Sequence, residues 1–147
     1  MRKKIAVDIF SGAGGLSIGA EMAGVKTILA VEYDKHAADS FKKNHREATV
    51  LNQDIRTVNP LEHTAKFPFI LMGGPPCQGY SRMGKSDKDD PRRSLLGHFF
   101  RTVNIIRPKF FIMENVEGLM DERNRYELEN AIQVLDKHYV VLEPMIV

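Results

Sequence analysis

The chain has no tryptophan, a single cysteine among 147 residues, and no strong excess of either charge. One thiol cannot close an internal disulfide or build a multi-cysteine zinc site, so neither a disulfide scaffold nor a metal site is expected. No apolar run approaches the roughly 18 residues needed to cross a bilayer. The start, Met1-Arg2-Lys3-Lys4 and then an apolar stretch that Asp8 interrupts, lacks the core of a secretory signal. A cytoplasmic location with a reduced thiol is therefore expected. Lysine and arginine number 21 against 19 acids, a net charge of +2. That balance permits a nucleic-acid partner without arguing for one, since modules that bind by charge alone are usually far more basic.

What is present reads as one α/β domain with a mostly parallel sheet, because apolar runs of five or six residues alternate with helical patterns. Strands are expected over Ile5–Phe10, Thr27–Glu32, Ala48–Asn52, Pro68–Met72 and Lys109–Met113, with a sixth over Tyr139–Val147. Helices are expected over Gly15–Ala23, Ala37–Asn44, Ser94–Ile106 and Glu127–Leu135. Gly24 is a natural residue to end the first of these helices. The stretch from Gln78 to Arg93 has no regular pattern, and a loop of that length is usually functional.

In an open sheet of this kind ligands bind beyond the carboxyl ends of the strands. The residues there are Phe10 to Gly15, Glu32, Asp54, Gly73 to Gln78 and Glu114. The first group, Ser11-Gly12-Ala13-Gly14-Gly15, lets backbone approach a ligand and opens a helix whose N–H groups favour an anion. Glu32 lies 20 residues after Gly12, a spacing suited to an acid that binds ribose hydroxyls. Asp54 could accept a bond from an adenine amino group. A tight turn and two surface acids would explain the same residues more plainly, and that reading stays open here.

Cys77 sits in Gly73-Gly74-Pro75-Pro76-Cys77-Gln78. A lone cysteine is most often a small buried hydrophobe, but this segment is a poor core element and a good rigid mount. A thiolate so presented is a nucleophile. Glu114 follows the apolar run Phe110-Phe111-Ile112-Met113, where partial desolvation would let it hold a proton. If the fourth and fifth strands are neighbours, Cys77 and Glu114 share a pocket. A nucleophile beside a proton donor suits addition to an electron-poor ring.

Four stretches resemble, in order, the blocks of the cytosine-C5 DNA methyltransferases. They are Asp8-Ile9-Phe10-Ser11-Gly12-Ala13-Gly14-Gly15-Leu16, Glu32-Tyr33-Asp34, Gly74-Pro75-Pro76-Cys77-Gln78-Gly79 and Met113-Glu114-Asn115-Val116. The Pro-Cys-Gln block followed by Glu-Asn-Val is the most specific of them. The resemblance implies a three-layer Rossmann-like, S-adenosylmethionine-dependent domain cut off after about its sixth strand, and a place in restriction-modification. It also implies a cofactor site of Phe10, Glu32, Tyr33, Asp54 and Ile55 for adenosine, with Ser11, Gly12, Gly14, Gly15 and Leu16 for the methionine end, and Pro76 and Leu95 lining the pocket.

By the same resemblance Cys77 would add to C6 of a flipped cytosine while Glu114 engages its N3 edge. Gln78, Ser81 and Arg82 would lie near DNA. The family continues with a Gln-x-Arg-x-Arg block, a target-recognition region and a segment completing the cofactor site. Residues 1–147 are therefore expected to be a partial catalytic domain without target recognition, needing a second segment or polypeptide and largely inactive alone. A bacterial enzyme of this kind would associate with the nucleoid. A non-catalytic cofactor-binding or scaffolding subunit, and a methyltransferase acting on tRNA, are the alternatives.

Overall fold

The computed structural model describes residues 4–65, 67–76 and 95–146. Five strands, β1 (Ile5–Ile9), β2 (Lys26–Glu32), β3 (Thr49–Asn52), β4 (Ile70–Gly73) and β5 (Phe110–Met113), pair in parallel in the order β3-β2-β1-β4-β5. Helices α1 (Gly15–Met22), α2 (Lys35–Asn44), α3 (Leu95–Ile106) and α4 (Glu122–Gln133) connect and cover them. The result is an α/β Rossmann-like fold. No helix among the described residues is long and apolar enough to cross a membrane.

Parallel strands buried on both faces read as unbroken apolar runs, and Ala6 to Ile9 of β1 are all buried, Asp8 included. One face of the sheet presents Val7, Ile9, Leu29, Val31 and Leu71 to a core completed by Phe99, Phe100, Val103 and Ile106 of α3 and Leu128 of α4. The apolar positions of α3 recur every three or four residues, so a single stripe of that helix is buried. Phe111 on β5 meets Phe99, Phe100 and Tyr139 edge-on, with centroids 5.5–6.2 Å apart. The opposite face is smaller, with Ala6, Val25 and Met72 covered by Leu16 and Ala20 of α1.

The expected sixth strand does not form. Residues 139–146 have no strand structure, and Val140, Leu142, Met145 and Ile146 are exposed. Only Tyr139 docks, meeting Phe111 edge-on and donating its hydroxyl to the Pro108 carbonyl at 2.6 Å. Apolar β-branched residues make a strand only where a partner completes the backbone ladder, and no described segment pairs with the outer edge of β5. Elsewhere the boundaries move by one to five residues; α4 begins at Glu122, five residues before Glu127.

Candidate functional site

The chain leaves β1 for β2 and β3 on one side, then returns to β4 on the other. The sheet's order therefore reverses at β1, and the crevice beyond the carboxyl ends of β1 and β4 is where a ligand fits. The glycine loop, Glu32, Asp54, Gly74 to Pro76 and Glu114 all follow strand ends on this rim.

The first loop is held in an unusual shape. Phe10 has φ +58°, a left-handed conformation uncommon for a large side chain, followed by Gly12 at +54° and Gly14 at +99°. Ser11 N–H donates to the Val31 carbonyl at 3.2 Å, and Gly14 N–H closes a turn on the Ser11 carbonyl at 3.0 Å. A Cβ on Gly14 would collide with the ring of His45, so glycine is required there twice over. Nothing lies within 4 Å of a Cβ built on Gly12 or Gly15, so that side of the loop is open. α1, which Gly14 heads, has no side-chain cap for its first N–H groups.

Glu32 ties this loop to the next. Gly12 N–H donates to its Oε2 at 2.8 Å and Asp34 N–H to its Oε1 at 2.7 Å. A carboxylate has about four lone-pair sites, so each oxygen keeps one acceptor for a diol. Asn52, beside it on β3, donates to the carbonyls of both Glu32 and Tyr33 at 2.9 Å, and the Tyr33 side chain is exposed. Asp54 is more fully engaged than its position alone suggests. Arg56 grips both its oxygens, Nη2 lying 2.6 Å from Oδ2 and Nε 3.0 Å from each, and this guanidinium holds the acid below its usual range. Arg56 carried no signal in the sequence beyond being a nearby base.

Of the residues expected to line the cofactor pocket, Ile55 belongs to the larger core cluster, and Phe10 and Leu95 pack against that cluster. Leu16 does not join them. Its side chain packs on the opposite face of the sheet with Ala6 and Met72. Pro76 is half-buried at the rim.

On the other side of the crevice β4 and β5 are neighbours, with Gly73 opposite Met113. Glu114 N–H extends the ladder to the Gly73 carbonyl at 3.0 Å, and its carboxylate lies over Gly74, where a Cβ would come within 2.9 Å of Oε2. The expected desolvation of Glu114 is not found, because its side chain is exposed on the outermost strand, where Phe110 and Ile112 are also open. Asn115 donates from Nδ2 to the Pro75 carbonyl at 3.0 Å and so fastens the end of β5 to the proline mount. That role was missed, although Asn115 stands inside the quoted Glu-Asn-Val block. Cys77, Gln78, Ser81 and Arg82 lie outside the described residues.

Beneath the glycine loop lies a buried polar network. Ser17 Oγ donates to Asp8 Oδ2 at 2.6 Å, and Thr27 Oγ1 donates to Ser17 at 3.0 Å. Asp8 Oδ1 and Ser11 Oγ are buried with no hydrogen-bond partner among the described residues. Burial raises Asp8 to about 7, against the opposing pull of the Ser17 bond and the His45 charge.

A parallel sheet that reverses order beside a glycine loop, with carboxylates closing the two neighbouring strands, defines the class of doubly wound nucleotide-binding domains. The model of one family, the C-5 cytosine-specific DNA methylases, matches residues 5–141. The type II methyltransferase M1.HphI of Haemophilus parahaemolyticus is 43% identical over 120 residues, which cover 77% of this chain and 32% of that protein. M.DdeI of Desulfomicrobium norvegicum is 40% identical over 121 residues, 81% of this chain and 29% of its own. A crystal structure described as a DNA modification methyltransferase encoded within an E. coli prophage superposes with a TM-score of 0.76 at 35% identity, covering 88% of this chain and 37% of that one. The chain belongs to the C-5 cytosine-specific DNA methylase family. It spans about a third of the length of the curated relatives it matches.

Proposed function

We propose that this chain carries the cofactor-binding and catalytic region of an enzyme that methylates C5 of cytosine in DNA. The observation that carries the reading is the placement of Glu114 over Gly74, three residues ahead of Cys77, in a chain of this family. When bound, S-adenosylmethionine supplies an electrophilic methyl group on a sulfonium. The residues present fit it. Glu32 has acceptors left for the ribose diol, and Ile55, Leu95 and Phe10 form an apolar wall. Asp54 offers adenine an acceptor once the half-exposed Arg56 gives up one arm of its fork. Tyr33 and Pro76 flank the adenine, and the head of α1, after the open glycine loop, offers main-chain N–H groups to the carboxylate.

The chain's own chemistry is then a nucleophilic addition. Cys77 attacks C6 of a cytosine extruded from the duplex, while Glu114 holds the N3 edge and favours build-up of electron density at C5. After methyl transfer, loss of the C5 proton expels Cys77 and restores the ring. Gln78, Ser81 and Arg82, close behind Cys77 in sequence, contact the DNA. Residues 1–147 form a partial catalytic domain, and a further segment or second polypeptide supplies target recognition and completes both pockets.

A duplex bearing 5-fluorocytosine tests this, because fluorine at C5 cannot leave as a proton and the thiol stays bound. Joined by the further segment, the chain is expected to form a denaturation-resistant adduct that requires S-adenosylmethionine and is abolished by Cys77→Ala. An adduct that survives Cys77→Ala would overturn the assignment of the nucleophile. An adduct formed by residues 1–147 with no other polypeptide would overturn the need for a further segment.

A further inference from the structure

His45 ends α2 and is buried, its ring tilted against Phe41 at 4.4 Å between centroids. Both ring nitrogens have partners. Nδ1 lies 2.9 Å from the Glu21 carboxylate and Nε2 lies 3.2 Å from the Gly14 carbonyl. Both partners are acceptors, whereas a neutral imidazole carries only one N–H. Only a ring protonated on both nitrogens donates to both partners at once. The preceding residue makes a parallel contact, Asn44 Nδ2 donating to the Ala13 carbonyl at 3.3 Å. Two consecutive side chains at the end of α2 thus hold two consecutive carbonyls of the glycine loop.

The clasp acts where the loop has least freedom. Gly14 is in the left-handed region, heads α1 and accepts from Ile18 N–H at 2.9 Å. Its position sets where Gly12 meets Glu32 and where the helix N-terminus points. Loss of one ring proton opens either the Glu21 or the Gly14 contact, because a ring nitrogen without hydrogen cannot donate. The charged groups around the ring come from every adjoining element: Glu21 on α1, Asp8 on β1, Lys26 on β2, and Arg46 and Glu47 just after α2. Of these, Glu21 is the one within hydrogen-bond reach, and Lys26 is itself paired with Glu47.

We propose that His45, held as an imidazolium by Glu21, is a positioning residue for the glycine loop, so that S-adenosylmethionine affinity falls as His45 loses its second proton. The proposal rests on the assignment of that loop to the cofactor.

Two measurements test it. Nitrogen-resolved NMR of the histidine rings at about pH 6 is expected to show both nitrogens of His45 protonated and shielded from exchange. A bare ring nitrogen at that pH overturns the proposal, whether or not cofactor binds. Calorimetric titration with S-adenosylmethionine between about pH 6 and about pH 9 is expected to show Kd rising about tenfold, the worth of one charge-assisted hydrogen bond. His45→Gln keeps one donor without a titratable proton, so its profile should be flat; His45→Ala should bind about tenfold more weakly than wild type near pH ~6 and level with it near pH ~9. A wild-type slope retained in His45→Gln overturns the proposal. So does a slope that vanishes in Asp8→Asn, which would assign it to Asp8. Wild-type protein that binds no cofactor at any pH refutes the cofactor assignment instead, and the ring spectrum still decides the clasp.

Discussion

Replacing Asp8 by asparagine should change stability in a way that reverses sign with pH. Asp8 is fully buried on the central strand, with Ser17 donating to Oδ2 and no partner for Oδ1 among the described residues. Burial lifts the group from its ordinary 3.8 to about 7. The unfolded chain releases this proton near pH 4, whereas the folded one keeps it to about pH 7. Between those values the folded state binds more protons, so stability is highest at the acid end, declines as pH rises, and levels off above about pH 7. At 1.4 kcal/mol per pH unit the ionised group costs the fold about 4 kcal/mol. Asparagine has the same shape, still accepts from Ser17 and never ionises. Its unpaired amide should cost about 1–2 kcal/mol at pH ~4, and by pH ~8.5 the variant should be the more stable protein by about 2–3 kcal/mol. Urea unfolding of both proteins across that range reads the difference directly, since contributions of other titrating groups largely cancel. A difference that stays constant within about 1 kcal/mol, or one that moves against the variant as pH rises, would refute the reasoning.

Gly14→Ala should destabilise by about 2–4 kcal/mol, combining a left-handed backbone with a collision against His45. Gly19→Ala, in open space within the same helix, should instead stabilise by about 0.5–1 kcal/mol; equal thermal shifts in the two variants would contradict the packing described. Asn115→Ala should cost only about 1 kcal/mol of stability yet slow adduct formation with 5-fluorocytosine DNA by about tenfold or more, with S-adenosylmethionine affinity unchanged. A loss of cofactor affinity equal to the loss of rate would show that Asn115 does not act through the Pro75 mount.

Most of the fold was legible because buried parallel strands are written as short apolar runs. Ile5–Ile9 and Phe110–Met113 could be read directly, as could the helix whose stripe runs through Leu96, Phe99, Val103 and Ile106. The apolar tail after Tyr139 misled for the same reason: it has the residues of a strand but no described ladder partner. At the candidate site, Glu32 and Glu114 were legible as strand-end residues because each closes an apolar run. Arg56, Asn115 and His45 could not, since each acts through a partner distant in sequence or through a geometry that spacing does not encode. His45 meets Gly14 across 31 residues and Asn115 meets Pro75 across 40.

The exposure of Glu114 marks another boundary of that kind. An acid after four apolar residues reads as desolvated, but burial depends on what covers a strand, and β5 is the last in its sheet. By itself the sequence determined the types of the strands and helices that do form, the candidate residues at the strand ends and the family, because periodicity, punctuation by glycine and proline, and short contiguous blocks are local properties of a chain. Tertiary structure alone decided which strand is the edge and where the order reverses at β1. It also decided that Leu16 packs on the face of the sheet opposite the larger core, and that His45 at the end of α2 meets both Glu21 and the Gly14 carbonyl. Those depend on which groups meet across the fold, and a hydrogen bond or a buried charge takes its energy from the partner it meets.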